Sequence, residues 1–62
     1  MVAKVGKEEA HLGMRVLFGS FREPAVVDGI SWDWVGIRLD QGGYVIADWN
    51  DVYRYIIKFM SL

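Results

Sequence analysis

Trp34-Val35-Gly36-Ile37-Arg38-Leu39-Asp40-Gln41-Gly42-Gly43-Tyr44-Val45-Ile46-Ala47-Asp48 is the stretch that decides the fold. Val35, Ile37 and Leu39 alternate with Trp34, Gly36 and Arg38, a period of two that puts the first set on one side of an extended strand. Asp40-Gln41-Gly42-Gly43 is the strongest turn signal in the chain. Its two glycines can take positive φ, as a tight hairpin requires. Tyr44 to Asp48 then returns as a second strand. Two strands joined in this way need further strands to bury their common apolar side.

The flanking sequence supplies them. Upstream, Met14 to Phe18 and Ala25 to Ile30 read as strands separated by the loop Gly19 to Glu23. Pro24 stands where a strand start tolerates a missing N–H, and Gly29 suggests a bulge or a close backbone approach. Downstream, Trp49 to Val52 reads as a single 3-10 turn. Tyr53 to Phe59 reads as the last strand because it is rich in aromatic and β-branched residues. A helix over residues 50–61 is the competing reading, since Val52, Ile56, Phe59 and Met60 also have helical spacing. Residues 1–12 read as a short, mobile, polar lead-in, with Lys7 to Leu12 able to form one helical turn stopped by Gly13. The expectation is an all-β chain: the lead-in at 1–12, then a five-stranded closed barrel over 13–62. Closure would remove exposed strand edges. The expected core is Val16, Phe18, Val27, Val35, Ile37, Leu39, Val45 and Ile57.

Composition bounds what such a chain can do. Its 62 residues hold 53% apolar side chains and a net charge of −1, which exclude disorder and leave room for one domain. With no cysteine, neither a disulfide framework nor a thiolate metal site can form, and a cytoplasmic location is the expectation. No apolar run approaches the roughly 20 residues of a membrane-spanning helix. No signal-peptide core appears either.

Barrels of this kind have known relatives. Gly13-Met14-Arg15-Val16 resembles the Gly-x-Arg-Val opening of SH3-like, KOW and Tudor-like modules, and Val26-Val27-Asp28-Gly29 is similar to their second strand. Val35 to Gly43 resembles the third strand and distal hairpin, and Trp49 to Val52 stands where these barrels place a 3-10 turn. The resemblance implies an SH3-like barrel and a binding role of open kind, because such folds carry many functions. The type II dihydrofolate reductases, homotetrameric enzymes on a similar barrel, share the opening and the next strand. Their Val-Gln-Ile-Tyr active-site segment has no counterpart; Val45-Ile46-Ala47-Asp48 stands nearest.

The residues themselves offer little catalytic chemistry. His11 is the single histidine and reads as a solvated side chain near Glu8 and Glu9. Asp48-Trp49-Asn50-Asp51 opens like a calcium loop, but Tyr53 stands where the loop needs Gly and Phe59 where it needs Glu. Turn capping explains these side chains. Phosphate-loop and nucleophile-elbow patterns are absent. The expectation is a chain that is not an enzyme, with no metal and no cofactor.

The aromatic content points elsewhere. Phe21, Trp32, Trp34 and Trp49 fall on loops that an SH3-like barrel brings to one side, with Asp33 and Asp51 nearby. These six form the candidate binding set. Most of the rings are expected to fill the core or its rim. Trp and Tyr that remain exposed favour partner contacts, so self-association, with a protein or peptide partner next, is the leading functional expectation. A nucleic-acid-associated barrel is the alternative. It would use Arg54 and Lys58 on one strand face, although a net charge of −1 disfavours phosphate binding. An oligomeric enzyme with a symmetric central site is the third reading.

Overall fold

The fold is built from tight turns that reverse the chain at its glycines. Gly42 and Gly43 take φ of 110° and 101°, values that side-chain-bearing residues rarely reach. Across this turn the Leu39 N–H donates to Gly43 O at 3.0 Å and the Gly42 N–H to Leu39 O at 2.9 Å. The hairpin read from the sequence is therefore formed. The computed structural model describes residues 1–56.

Six strands result among the described residues: β1 (Val2–Lys4), β2 (Arg15–Phe18), β3 (Glu23–Ile30), β4 (Val35–Leu39), β5 (Tyr44–Ala47) and β6 (Val52–Tyr55). They make one antiparallel sheet in the order β1-β6-β2-β3-β4-β5. A 3-10 turn, Trp49–Asp51, links β5 to β6. Asp48 caps it, its carboxylate accepting the Asn50 N–H at 2.8 Å. Short Asp and Asn side chains favour such caps, because they satisfy backbone donors locally. Gly29 marks a register shift between Val27 and Gly29 in the β3–β4 pairing, the bulge its position suggested.

Two features correct the expected five-stranded closed barrel. The sheet has six strands, because part of the segment read as a lead-in forms β1. Its residues Val2, Ala3 and Lys4 pair with Tyr55, Arg54 and Tyr53. The sheet is also open: β1 and β5 stand at opposite ends and are not paired. The physical reason lies at Asp48, where the capped turn diverts the chain after four residues of β5, short of any pairing with β1. The last strand is described as far as Tyr55, and Ile56 N–H donates to Met1 O at 3.0 Å. The expected strand residues Ile57 to Phe59, including the expected core residue Ile57, lie outside the described residues.

Alternation then decides what is buried. Val5, Val16, Ala25, Val27, Val35, Ile37, Ala47, Trp49 and Val52 form the core cluster. Phe18, Leu39 and Val45 pack on its margin. Val16, Val27, Val35 and Ile37 are expected here; Val5, Ala25, Ala47, Trp49 and Val52 are not. Leu17 is buried too, but on the opposite face, where the register sets it between Pro24 and Tyr53. No helix among the described residues is long and apolar enough to cross a membrane.

Candidate functional site

The opposite face of the sheet carries Tyr44, with Trp34 beside it at Gly29. The register aligns Arg15, Val26, Arg38 and Tyr44 in one row across β2, β3, β4 and β5. Beside Tyr44 the surface is bare backbone, because Gly29 and Gly36 face each other across β3 and β4. The Tyr44 ring occupies that bare strip. A Cβ built on Gly36 would lie 2.9 Å from Tyr44 Cζ, and one on Gly29 would lie 3.3 Å from its hydroxyl and 3.6 Å from the Trp34 ring. Packing an aromatic ring across strand glycines fixes its position while leaving its other side free. Tyr44 and Ile46 remain 52% and 58% exposed, and both lie on β5 at the end of the sheet.

Trp32 and Trp49 occupy a second place. Together with Lys4, Val5, Lys7, Glu8 and Asn50 they line an open cleft of about 600 Å³. Trp49 forms the buried wall, and its indole N–H donates to Ser31 O at 3.1 Å. That bond ties the 3-10 turn to the β3–β4 connection. Trp32 is almost fully exposed, with the Lys7 ammonium 4.2 Å from its ring centroid. An ammonium over an indole face gains from the ring quadrupole. The lining from Lys4 to Glu8 was missed in the sequence, because those residues reach the cleft only once β1 has paired with β6.

The six expected binding residues are thus dispersed. Trp32 and Trp49 share the cleft, whereas Trp34 lies beside Gly29 with Tyr44. Phe21 sits at the tip of the β2–β3 turn, highly exposed. In that turn Gly19 N–H donates to Asp51 O at 2.8 Å, and the Arg22 guanidinium lies 3.9 Å over the Tyr53 ring. Asp51 therefore belongs to the Phe21 end through its backbone. Asp33 is exposed in the β3–β4 turn and forms no ion pair among those described.

The arginines are largely committed within the chain. Arg15 makes two hydrogen bonds to Asp40, at 2.6 and 3.1 Å. Arg38 pairs with Asp28 at 3.0 Å and Arg54 with Glu9 at 2.9 Å. Arg54 was one half of the expected nucleic-acid set; the other half, Lys58, lies outside the described residues. A smaller cleft of about 250 Å³ opens where β2 and β6 part, lined by Arg15, Val16, Leu17, Pro24, Arg54 and Tyr55. Both guanidiniums at its rim are already neutralised by carboxylates. Among the described residues no group of three or more His, Asp or Glu side chains could hold a metal ion. His11 is exposed, its Nδ1 3.2 Å from Leu12 O.

Glu9 is the residue that fastens the segment after β1. Its carboxylate accepts the Gly6 N–H at 2.9 Å as well as the Arg54 bond. The Gly6 bond first, then the Arg54 bond, hold its pKa below the ordinary carboxylate range. A depressed folded pKa contributes stability above the unfolded value and loses it as pH falls through the folded one. Acidification from about pH 6 to about pH 3 is therefore expected to loosen the Gly6–Glu9 turn. The Gly6 amide resonance should report this with a midpoint below that of a free glutamate, and Glu9→Gln should abolish the response. A midpoint at the free-glutamate value would remove Glu9 from this role.

Against protein-family models, curated proteins and solved structures alike, the chain finds no match.

Proposed function

We propose that the chain is a non-enzymatic interaction module of SH3-like build that associates with itself and meets a protein partner through its uncovered aromatic surface. The observation that carries this reading is the exposure of large apolar side chains on so small a body. Phe21 is 88% exposed, Trp32 81% and Tyr55 65%, in addition to Tyr44 and Ile46. Aromatic residues are costly to leave in water and are enriched at interface hot spots. Internal ion pairing of Arg15, Arg38 and Arg54 supports a protein partner over a nucleic acid, since phosphate binding needs uncommitted cations. A cysteine-free chain suits a reducing compartment, and the cytoplasm is the location this reading takes.

Light scattering coupled to size exclusion, over a tenfold range of concentration, tests it. The expected result is a mass that rises above the 7.1 kDa of one chain as concentration increases. A mass of one chain at every concentration ends the self-association half of the reading. Salt-sensitive binding of an oligonucleotide would move the function to nucleic acid.

A further inference from the structure

The geometry points to the free edge of β5 as the place where a second copy of the chain docks, by antiparallel strand pairing about a two-fold axis at Val45. This inference rests on the self-association reading and names its surface. The hydrogen-bonding phase of the β4–β5 hairpin is set by the Leu39 N–H bond to Gly43 O. Opposed residues in an antiparallel pair alternate between bonded and non-bonded positions. With Ile37 opposite Val45 and Val35 opposite Ala47, those two pairs are bonded ones. The backbone groups of Tyr44 and Ile46 therefore point away from β4. No other backbone hydrogen bond reaches them among the described residues.

Natural sheets protect such an edge with charge, proline or a bulge. β5 reads Tyr-Val-Ile-Ala and has none of these. The other end of the sheet is different: β1 is three residues long and carries Lys4. Of the two edges that stand free among the described residues, β5 is the one left open to pairing.

The sequence of β5 also complements itself. Opposed residues must lie on the same face of a continuous sheet. Centring the pair on Val45 sets Tyr44 opposite the partner's Ile46, and Ile46 opposite the partner's Tyr44. Both pairs fall at bonded positions, so all four outward-pointing groups of each strand find partners. Aromatic and β-branched side chains facing one another across strands attract. On the core face Val45 meets its own copy. Centring on Ile46 instead would set Tyr44 opposite the carboxylate of the partner's Asp48, which already caps the 3-10 turn. A net charge of −1 puts little repulsion between two copies. An interface of one short strand falls below the about 1,200 Å² that separates weak associations from stable ones. Half-association is accordingly expected near ~100 µM.

Light scattering of the full chain from about 10 µM to about 500 µM, beside Ile46→Pro, Ile46→Lys and Trp32→Ala, tests the assignment. Proline at 46 removes an N–H that bonds nothing among the described residues, a position where edge strands tolerate it. Should Ile46→Pro fail to fold by circular dichroism, Ile46→Lys keeps the backbone intact and carries the test. The expected result is a monomer–dimer shift in the wild type and in Trp32→Ala, with the midpoint raised at least about tenfold in both Ile46 variants. Folded Ile46 variants that associate like the wild type would overturn the edge while leaving self-association standing. Loss of association in Trp32→Ala alone would transfer it to the Trp32–Trp49 cleft. Masses growing beyond the dimer would replace the two-fold axis with open head-to-tail pairing. A monomeric wild type throughout would end both this inference and the reading beneath it.

Discussion

Replacing Trp49 by Ala is expected to remove about a third or more of the chain's folding stability at 25 °C. Trp49 is 8% exposed and belongs to the core cluster although it sits on a three-residue turn. Its ring packs in the core cluster, and its indole N–H donates to Ser31 O. Truncating a buried Trp costs about 3–5 kcal/mol. At 0.05–0.15 kcal/mol per residue, a chain of this length holds only about 3–9 kcal/mol in total. Trp49→Phe keeps most of the buried ring and loses the hydrogen bond, so it should cost about 1–2 kcal/mol. Urea unfolding followed by circular dichroism separates the two. A loss below about 1 kcal/mol for Trp49→Ala would mean that the turn is not part of the core.

Val5→Asp should be nearly as damaging, and it addresses the N-terminal strand directly. Val5 is 3% exposed, packs in the core cluster and donates its N–H to Val52 O at 3.0 Å. A carboxylate there would be buried without a partner, at a cost of about 3 kcal/mol or more. Lys4→Asp, one residue earlier on the exposed side of β1, should stay within about 0.5 kcal/mol. The contrast between neighbours is the informative quantity. If residues 1–12 were a solvated lead-in, both substitutions would be equally mild.

What the sequence revealed and what it hid follow from how far apart the deciding residues lie. The Gly42-Gly43 hairpin, the Asp48 cap and the Gly29 bulge are each settled by chemistry within a few residues, so local reading found them. β1 is settled by Tyr53, Arg54 and Tyr55, about fifty positions away. Its own three residues, Val-Ala-Lys, have too little pattern to declare a strand. Openness was hidden for a related reason. Closure would need β1 and β5 to meet, and the length of β5 is set by where the turn at Asp48 diverts the chain.

The aromatic residues show the same limit. Trp32 and Trp34 are two apart in sequence, yet one lines the cleft with Trp49 and the other lies beside Tyr44 on the outer face. Val35 begins β4, so Trp34 precedes the strand and its direction does not follow from the strand's alternation. Ile46 was legible in principle. It alternates with Val45 and Ala47, which face the core, and so it had to face outward on the last strand of the hairpin. What the alternation could not supply was that, among the described residues, nothing pairs with that strand on its far side.

The central claim is that the sheet ends at β5 and that this end is where a second copy pairs. Amide hydrogen exchange at Tyr44 and Ile46, compared between dilute and concentrated samples, tests it most directly. The account predicts fast exchange of both amides in dilute solution and clear slowing at high concentration. The Val45 amide, bonded to β4, should stay protected in both. Exchange at Tyr44 and Ile46 that remains equally fast in the concentrated sample would contradict the claim.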